Sequence, residues 1–229
     1  MTHALWARVL SKHVANERVN YEALQADPKE LDQYLDAMAA VTEAEFNAWP
    51  VPEQLAYLIN LYNATTLKLI IDHYPVESIK KIGSVLKGPW DQPVVRLFGE
   101  TTSLGKVEHK ILRKKYTEPR VHFALVCAAR GCPPLRGEPF VAERLEEQLE
   151  DQGRRFLATA HKNSVDAPAG VVSLSPIFKW FEGDFVKKSP SVLAFVQPYF
   201  PAGTPQDLAV GGYKIKYTSY DWSLNDAKG

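Results

Sequence analysis

The chain has 229 residues, a formal net charge of zero at pH 7 and a hydrophobic fraction of 45%. This length predicts one domain with an extensive core. The neutral charge balance provides no overall field to attract nucleic acid, so we expect no nucleic-acid partner. Because no run of about 18 apolar residues is present, we also expect no membrane-spanning helix.

The apolar spacing in the N-terminal part of the chain predicts helices. Helical spacing of apolar residues indicates one helix over 4–14 and a second that begins at Pro28. A short third helix is predicted over 42–48. Residues 52–74 are apolar around most of the helical circumference, so we expect them to form a central, buried helix.

The pattern changes after residue 87. Weak alternation in VVRLFG indicates a short strand, and Ser103 is a typical cap for a helix that ends near Arg113. The apolar run from Val121 to Cys127 predicts a buried strand. Further elements are predicted over 141–161, 171–174, 176–181, 190–199 and 213–217. The resulting class is α+β, a helical N-terminal half packed on a small mixed or antiparallel sheet.

Cys127 is the first candidate for chemistry. A nucleophilic thiol must be partly exposed, with its thiolate favoured by a cation, a histidine or a helix N-terminus. The loop after it supplies Arg130 and peptide N–H groups that can stabilise an oxyanion. A buried structural thiol is the alternative. Cys132 allows a disulfide, a resolving thiol or packing, and with no second cysteine pair we expect no metal or cofactor.

Two kinds of side chain can support such a thiol. His109, on the predicted helix LGKVEHKILR, can act as its base, or be a surface histidine. His122 is a second candidate base, but it faces away from Cys127 if the segment is a strand, which counts against it. Asn60 and Asn63 lie on the most apolar helix, where a buried amide must be hydrogen-bonded. They hold either a catalytic histidine or a loop backbone.

An aromatic and charged set lies near the C-terminus. Aromatic side chains bordered by charge are typical of a substrate groove, although they occur more often as core residues with polar tips. The members of the set are Lys179, Trp180, Asp184, Tyr220, Asp221 and Trp222.

Several segments together resemble the domain of unknown function family number 547. They are LAYLINLYNATTLKLIIDHYP, LGKVEHKILR, RVHFALVCAARGCPPL, SPIFKWF and YDWSLN. The likeness covers about residues 51–225 of a single domain, and residues 1–50 resemble a helical lead-in. The resemblance implies a cysteine-dependent enzyme with a papain-like or transglutaminase-like fold. It also implies a bacterial, periplasmic or secreted protein, with the cytoplasm as the alternative.

Carried over by residue, the resemblance implicates Asn60, Asn63, Glu108, His109 and Cys127. We therefore expect Cys127 to attack an amide or thioester in a hydrolase or acyl transferase, with His109 as base. Asn63 or Glu108 would orient the imidazole. Contacts to a peptide or small-molecule substrate are expected from Asn60, Arg130, Trp180, Tyr220 and Trp222. The alternatives are a non-catalytic binding module with structural thiols and a redox role for the cysteine pair.

Overall fold

A computed structural model describes residues 2–228. Helices at the N-terminal end build the larger of two apolar cores. They are α1 (Ala4–His13), α2 (Tyr21–Ala26), α3 (Lys29–Ala39), α4 (Glu43–Ala48) and α5 (Val51–Ile71), with a hairpin of β1 (Val14–Ala15) and β2 (Arg18–Val19) between α1 and α2. α5 is buried over most of its length, as its apolar circumference predicts.

The middle of the chain contains a hairpin and an irregular helix. β3 (Val95–Leu97) pairs antiparallel with β4 (Glu100–Thr102). Helix α6 begins after the cap Ser103, whose side chain accepts the Lys106 N–H. Its three parts are Leu104–Lys106, a π-helical stretch Val107–Leu112, and Arg113–Lys115. π-helical turns are rare in proteins, and those that occur are often found at functional sites. The stretch therefore marks the region of Glu108 and His109 as a candidate functional site.

The predicted strand Val121–Cys127 is wrong. Val121–Ala124 form a short helix, α7, and the chain then runs extended to Cys127 without entering a sheet within residues 2–228. A short apolar run does not separate a buried helix from a buried strand. The peptide groups of Ala124 and Val126 are hydrogen-bonded by the side chain of Asn63, not by a neighbouring strand.

The C-terminal half contains the small mixed sheet. β5 (Ser164–Asp166) pairs antiparallel with β6 (Val171–Leu174), and β6 pairs parallel with β7 (Lys214–Tyr217). The helices here are α8 (Leu145–Leu157), α9 (Ile177–Trp180), α10 (Glu182–Phe185) and α11 (Val192–Val196), with 3₁₀ turns over Ile79–Lys81, Pro89–Asp91, Ala142–Arg144 and Gln197–Tyr199. The α+β class is thus confirmed.

The sheet belongs to a second, smaller core. Its buried side chains Val172 and Leu174 cluster with Phe123, Phe156 and Phe178. The N-terminal helices instead pack around α5 in the larger core. This differs from the expected packing of the helical half on the sheet, because α8 and the short helices after it supply the apolar side chains that cover β6.

The C-terminal tail joins distant parts of the chain. The Val19 N–H donates to the Asn225 carbonyl, and the Asn225 N–H donates to the Ala128 carbonyl beside the cysteine loop. The Tyr21 hydroxyl donates to Oδ1 of Asn225 at 2.7 Å. The tail therefore fastens the lead-in to that loop. In the described part of the chain, no helix is both long and apolar enough to cross a membrane.

Candidate functional site

A cavity of about 150 Å³ lies where the two cores meet. Leu125 and Val126 of the larger core form part of its wall, as do Ile177 of the smaller core and Phe181 packed against it. Pockets between packed units are common ligand sites. Most of the residues that the sequence singled out line this cavity, and the cysteine loop forms one side of it.

The two cysteines of that loop form a disulfide. Cys127 and Cys132 are joined, with their Cα atoms 6.3 Å apart. The Cys127 N–H donates to Sγ of Cys132 at 2.9 Å. The Tyr220 hydroxyl lies 3.1 Å from Sγ of Cys127 and 3.2 Å from Sγ of Cys132. Of the three interpretations of Cys132, the structure shows the disulfide, so Cys127 has no free thiol in this state.

The π-helical stretch carries Glu108 and His109 to the cavity wall, but their hydrogen bonds go to other partners. The buried Glu108 carboxylate accepts from the Tyr62 hydroxyl at 3.1 Å, and the Trp90 indole N–H donates to that hydroxyl at 3.2 Å. Burial and the negative charge of Glu108 raise the pKa of Tyr62 far above its usual value. The Tyr62 hydroxyl therefore stays protonated as a donor.

His109 is exposed and bonded to an arginine. Nη1 of Arg113 lies 3.0 Å from Nδ1 of His109. A guanidinium has only donors, so Nδ1 accepts and the neutral ring carries its proton on Nε2. The predicted orienting contacts from Glu108 or Asn63 to His109 are not formed here.

Asn60 and Asn63 clamp backbone segments. Nδ2 of Asn63 donates to the Ala124 carbonyl at 2.9 Å, and its Oδ1 accepts the Val126 N–H at 3.0 Å. Asn60 makes the same pair of bonds to the carbonyl and N–H of Phe140. The backbone-holding interpretation is the one that the structure shows. Asn60 lies outside the cavity wall, which does not match its predicted substrate contact.

Arg130 also lies outside this cavity. It lines a separate pocket of about 300 Å³ on the other side of the cysteine loop. Its backbone N–H donates to the Ser223 carbonyl at 2.9 Å. The predicted contact between Arg130 and a substrate held near Cys127 is therefore not supported by its position.

His122, the second candidate base and the one that its predicted facing disfavoured, lines the same cavity as Cys127. Its buried ring stacks on Phe181 with centroids 3.9 Å apart, and its Nε2 lies 2.9 Å from Oδ2 of Asp184. This segment is the helix α7 and not the predicted strand, so the strand alternation that turned His122 away from Cys127 does not apply. A short apolar run fits a helix as well as a strand, and this ambiguity was the available signal.

Asp184 is held as a carboxylate. Burial opposes its ionisation, but hydrogen bonds from His122, Arg113 and Lys187 outweigh burial and keep the pKa of Asp184 well below its ordinary value. The Arg113 bond is 2.5 Å and the Lys187 bond is 3.0 Å long. The ionised carboxylate accepts a hydrogen bond from Nε2–H, so in the neutral ring Nδ1 of His122 is the nitrogen with a free lone pair.

The aromatic set converges on the cavity. The Tyr220 ring lies 4.9 Å from that of Trp180 and 4.6 Å from that of Trp222, centroid to centroid. Trp90 meets Trp222 edge to face at 5.8 Å. Trp180 remains 47% exposed, although it also lines the cavity.

Residues 46–157 match the model of a family described as Protein of unknown function, DUF547. Over that range, which is just under half of the chain, the sequence is similar to the DUF547 family. No curated protein and no solved structure matches the chain. The DUF547 range holds the disulfide, both cavity histidines and Glu108, whereas Asp184 and the rings of Trp180, Phe181, Tyr220 and Trp222 lie beyond it.

Proposed function

We propose that the cavity is the site of cysteine-dependent acyl chemistry on an amide or a thioester. The observation that supports this most directly is that Cys127, His109 and His122 line the same cavity. A partly exposed sulfur near an imidazole is what a thiol nucleophile needs.

Reduction comes first, because the sulfur of Cys127 is bonded to Cys132. A dithiol reductant cleaves this bond by two exchange steps, returns both cysteines to thiols and is itself oxidised to a cyclic disulfide. The enzyme is therefore inactive in the oxidised state, and Cys132 acts as the partner that blocks the nucleophile.

The reaction then follows the logic of a thiol nucleophile. An imidazole takes the proton of the Cys127 thiol, and the thiolate forms a bond to the acyl carbon while the carbonyl electron pair moves to oxygen. The oxyanion then re-forms the carbonyl, the bond from the acyl carbon to the leaving nitrogen or sulfur breaks, and the imidazolium gives its proton to the leaving amine or thiol. Water, or a second nucleophile in a transferase, cleaves the acyl-enzyme with the same imidazole as base.

Two imidazoles compete for the role of base. The sequence and the family resemblance favour His109. The contacts favour His122, because Asp184 holds it as the carboxylate of a Ser-His-Asp triad holds its histidine. Nδ1 of His109 instead accepts a hydrogen bond from Arg113, and no carboxylate holds that ring among the described residues.

Alkylation after reduction tests the proposal. The protein is reduced with excess dithiothreitol and treated with iodoacetamide at neutral pH, and modification of each cysteine is followed by mass spectrometry. We expect Cys127 to react at least about 10-fold faster than Cys132, with the rate reduced about 10-fold or more by His122→Ala or His109→Ala, whichever residue is the base. His73→Ala, an exposed histidine outside the cavity, is the matched control.

An acyl-thiol substrate probe completes the test. Acylation of reduced wild-type protein, and none of Cys127→Ser, supports the proposal. Equal labelling of the two cysteines, unaffected by either histidine substitution, contradicts it.

A binding module is the second candidate. The observation that favours it is the disulfide itself, which occupies Cys127 inside a cavity lined by Trp180, Tyr220 and Trp222. In this role the disulfide stiffens the wall and the aromatic rings hold a peptide or small ligand. Ligand binding that is unchanged by Cys127→Ser, with no acylation after reduction, is the result expected of it.

The relationship to papain-like or transglutaminase-like folds and the location of the protein are part of the same proposal. A disulfide persists in oxidising compartments, which supports the periplasmic or secreted location that the resemblance implies. His109 precedes Cys127 in the chain, whereas papain-like enzymes have the opposite order, so the proposed relationship requires a rearranged topology.

A further inference from the structure

We infer that the cavity selects a substrate with a small cationic group, an alkylammonium, next to the acyl carbon. Only the description of this ligand as a substrate rests on the proposed function. Binding of the cation itself does not depend on the chemistry of Cys127.

The first support is the charge of Glu108. Its side chain is buried and lines the cavity, and its one hydrogen bond, from Tyr62, reaches Oε2. Among residues 2–228, no hydrogen bond reaches Oε1 and no lysine or arginine pairs with this carboxylate. A buried carboxylate is costly without a partner, so a cation entering the cavity would supply the missing charge.

The second support is the aromatic wall. Trp90, Trp180, Tyr220 and Trp222 line the same cavity as Glu108. Ring faces attract cations, tryptophan most strongly, and aromatic walls of this kind recognise alkylammonium groups. The protein itself shows this attraction at the edge of the set, where Nζ of the exposed Lys80 lies 4.8 Å from the ring centroid of Trp222.

The positive groups near the cavity do not cancel this preference. Arg113 lies over the Phe181 ring at 4.9 Å, but its guanidinium is paired with Asp184. His122 is bonded to the same carboxylate. Glu108 thus remains the carboxylate in this wall without a cationic partner in the described chain.

A pair of isosteric probes tests the inference on the oxidised protein. Choline carries a trimethylammonium group, and dimethylbutanol is its uncharged carbon isostere. In ligand-observed NMR titrations we expect choline to bind at least about 10-fold more tightly than dimethylbutanol, since the two differ only in charge. Glu108→Gln should weaken choline binding about 10-fold and leave dimethylbutanol binding unchanged.

Two further variants make the result decisive. Glu182→Gln removes an exposed carboxylate close to Phe181 but outside the wall, and it should leave choline binding unchanged. Trp180→Leu should weaken choline binding at least about 3-fold, and its exposed position makes it the test if Glu108→Gln does not fold.

The inference is overturned if both probes bind equally, if choline does not bind, or if Glu182→Gln acts as Glu108→Gln does. Because the oxidised protein has no free thiol, this result is independent of the alkylation experiment. Choline binding without acylation keeps the cation site and rejects the acyl chemistry. Acylation without choline binding keeps the acyl chemistry and rejects the cation site.

Discussion

At the scale of single residues, polar side chains fix the shape of the cavity. Asn63 supplies both of its amide groups to the backbone just before Cys127. Asp184 holds His122 from the other side. Both side chains are buried, so each lost bond leaves a polar group without water.

Replacing Asn63 by alanine should destabilise the protein strongly. The change leaves the Ala124 carbonyl and the Val126 N–H unpaired in the core, at about 1–3 kcal/mol each, so we expect the free energy of unfolding to fall by about 3 kcal/mol. Urea denaturation measures this. Asn47→Ala, on the exposed side of α4, should change it by less than about 0.5 kcal/mol. Similar effects for the two variants would show that Asn63 is not a clamp.

Asp184 should make stability depend on acid pH. Its pKa in the folded protein is lower than in the unfolded chain, so its ionised form stabilises the fold above about pH 4 and this contribution is lost as the pH falls below that value. Asp184→Asn should therefore be less stable than wild type at pH 7, with the difference shrinking at pH 3. Urea denaturation at both values is the measurement, with the exposed Asp91→Asn as control.

At the scale of elements, the disulfide and the π-helical stretch position the candidate site. The disulfide closes a short loop between Cys127 and Cys132. The π-helical stretch within α6 carries Glu108 and His109 to the wall, where Tyr62 and Arg113 bind them. The π-helical stretch interrupts a regular helix, and the disulfide cross-links an irregular loop.

Reduction of the disulfide should cost a modest part of the stability. The chain-entropy model gives about 2 kcal/mol for a loop of roughly six residues. We expect dithiothreitol to lower the free energy of unfolding by this amount in urea denaturation. Cys132→Ser should match the reduced wild type and show no response to the reductant. If dithiothreitol also lowers the free energy of unfolding of Cys132→Ser, the loss of stability does not come from the disulfide.

At the scale of the whole molecule, the lead-in and the DUF547 range share one core. Trp6, Leu31, Tyr34 and Met38 are buried in the same cluster as α5. The tail adds bonds between Asn225 and both the lead-in and the cysteine loop. The family range therefore does not coincide with a separately packed unit.

A fragment that lacks residues 1–50 should not fold cooperatively. Removal of residues 1–50 exposes the face of α5 that α3 covers. A fragment with so much exposed apolar surface should aggregate, or unfold without a sharp transition. Thermal unfolding followed by circular dichroism compares it with the full chain. A cooperative transition at the wild-type temperature would show that the lead-in is dispensable.

The sequence by itself determined the parts that depend on local signals. The cap at Ser103 and the apolar circumference of α5 are local, and they placed these helices correctly. It also singled out the cysteines and the aromatic set. Substrate contacts at Trp180, Tyr220 and Trp222 stay predictions, although these rings line the cavity.

Only the tertiary structure decided how these residues pair. Val121–Ala124 became a helix because an apolar run fits either conformation and Asn63 satisfies the peptide groups that follow. The disulfide, the contact of His122 with Asp184 and the position of Arg130 in another pocket depend on separate turns of the chain. Hydrogen bonds between residues far apart in the chain leave no periodic signal in it, so the folded core alone selects them.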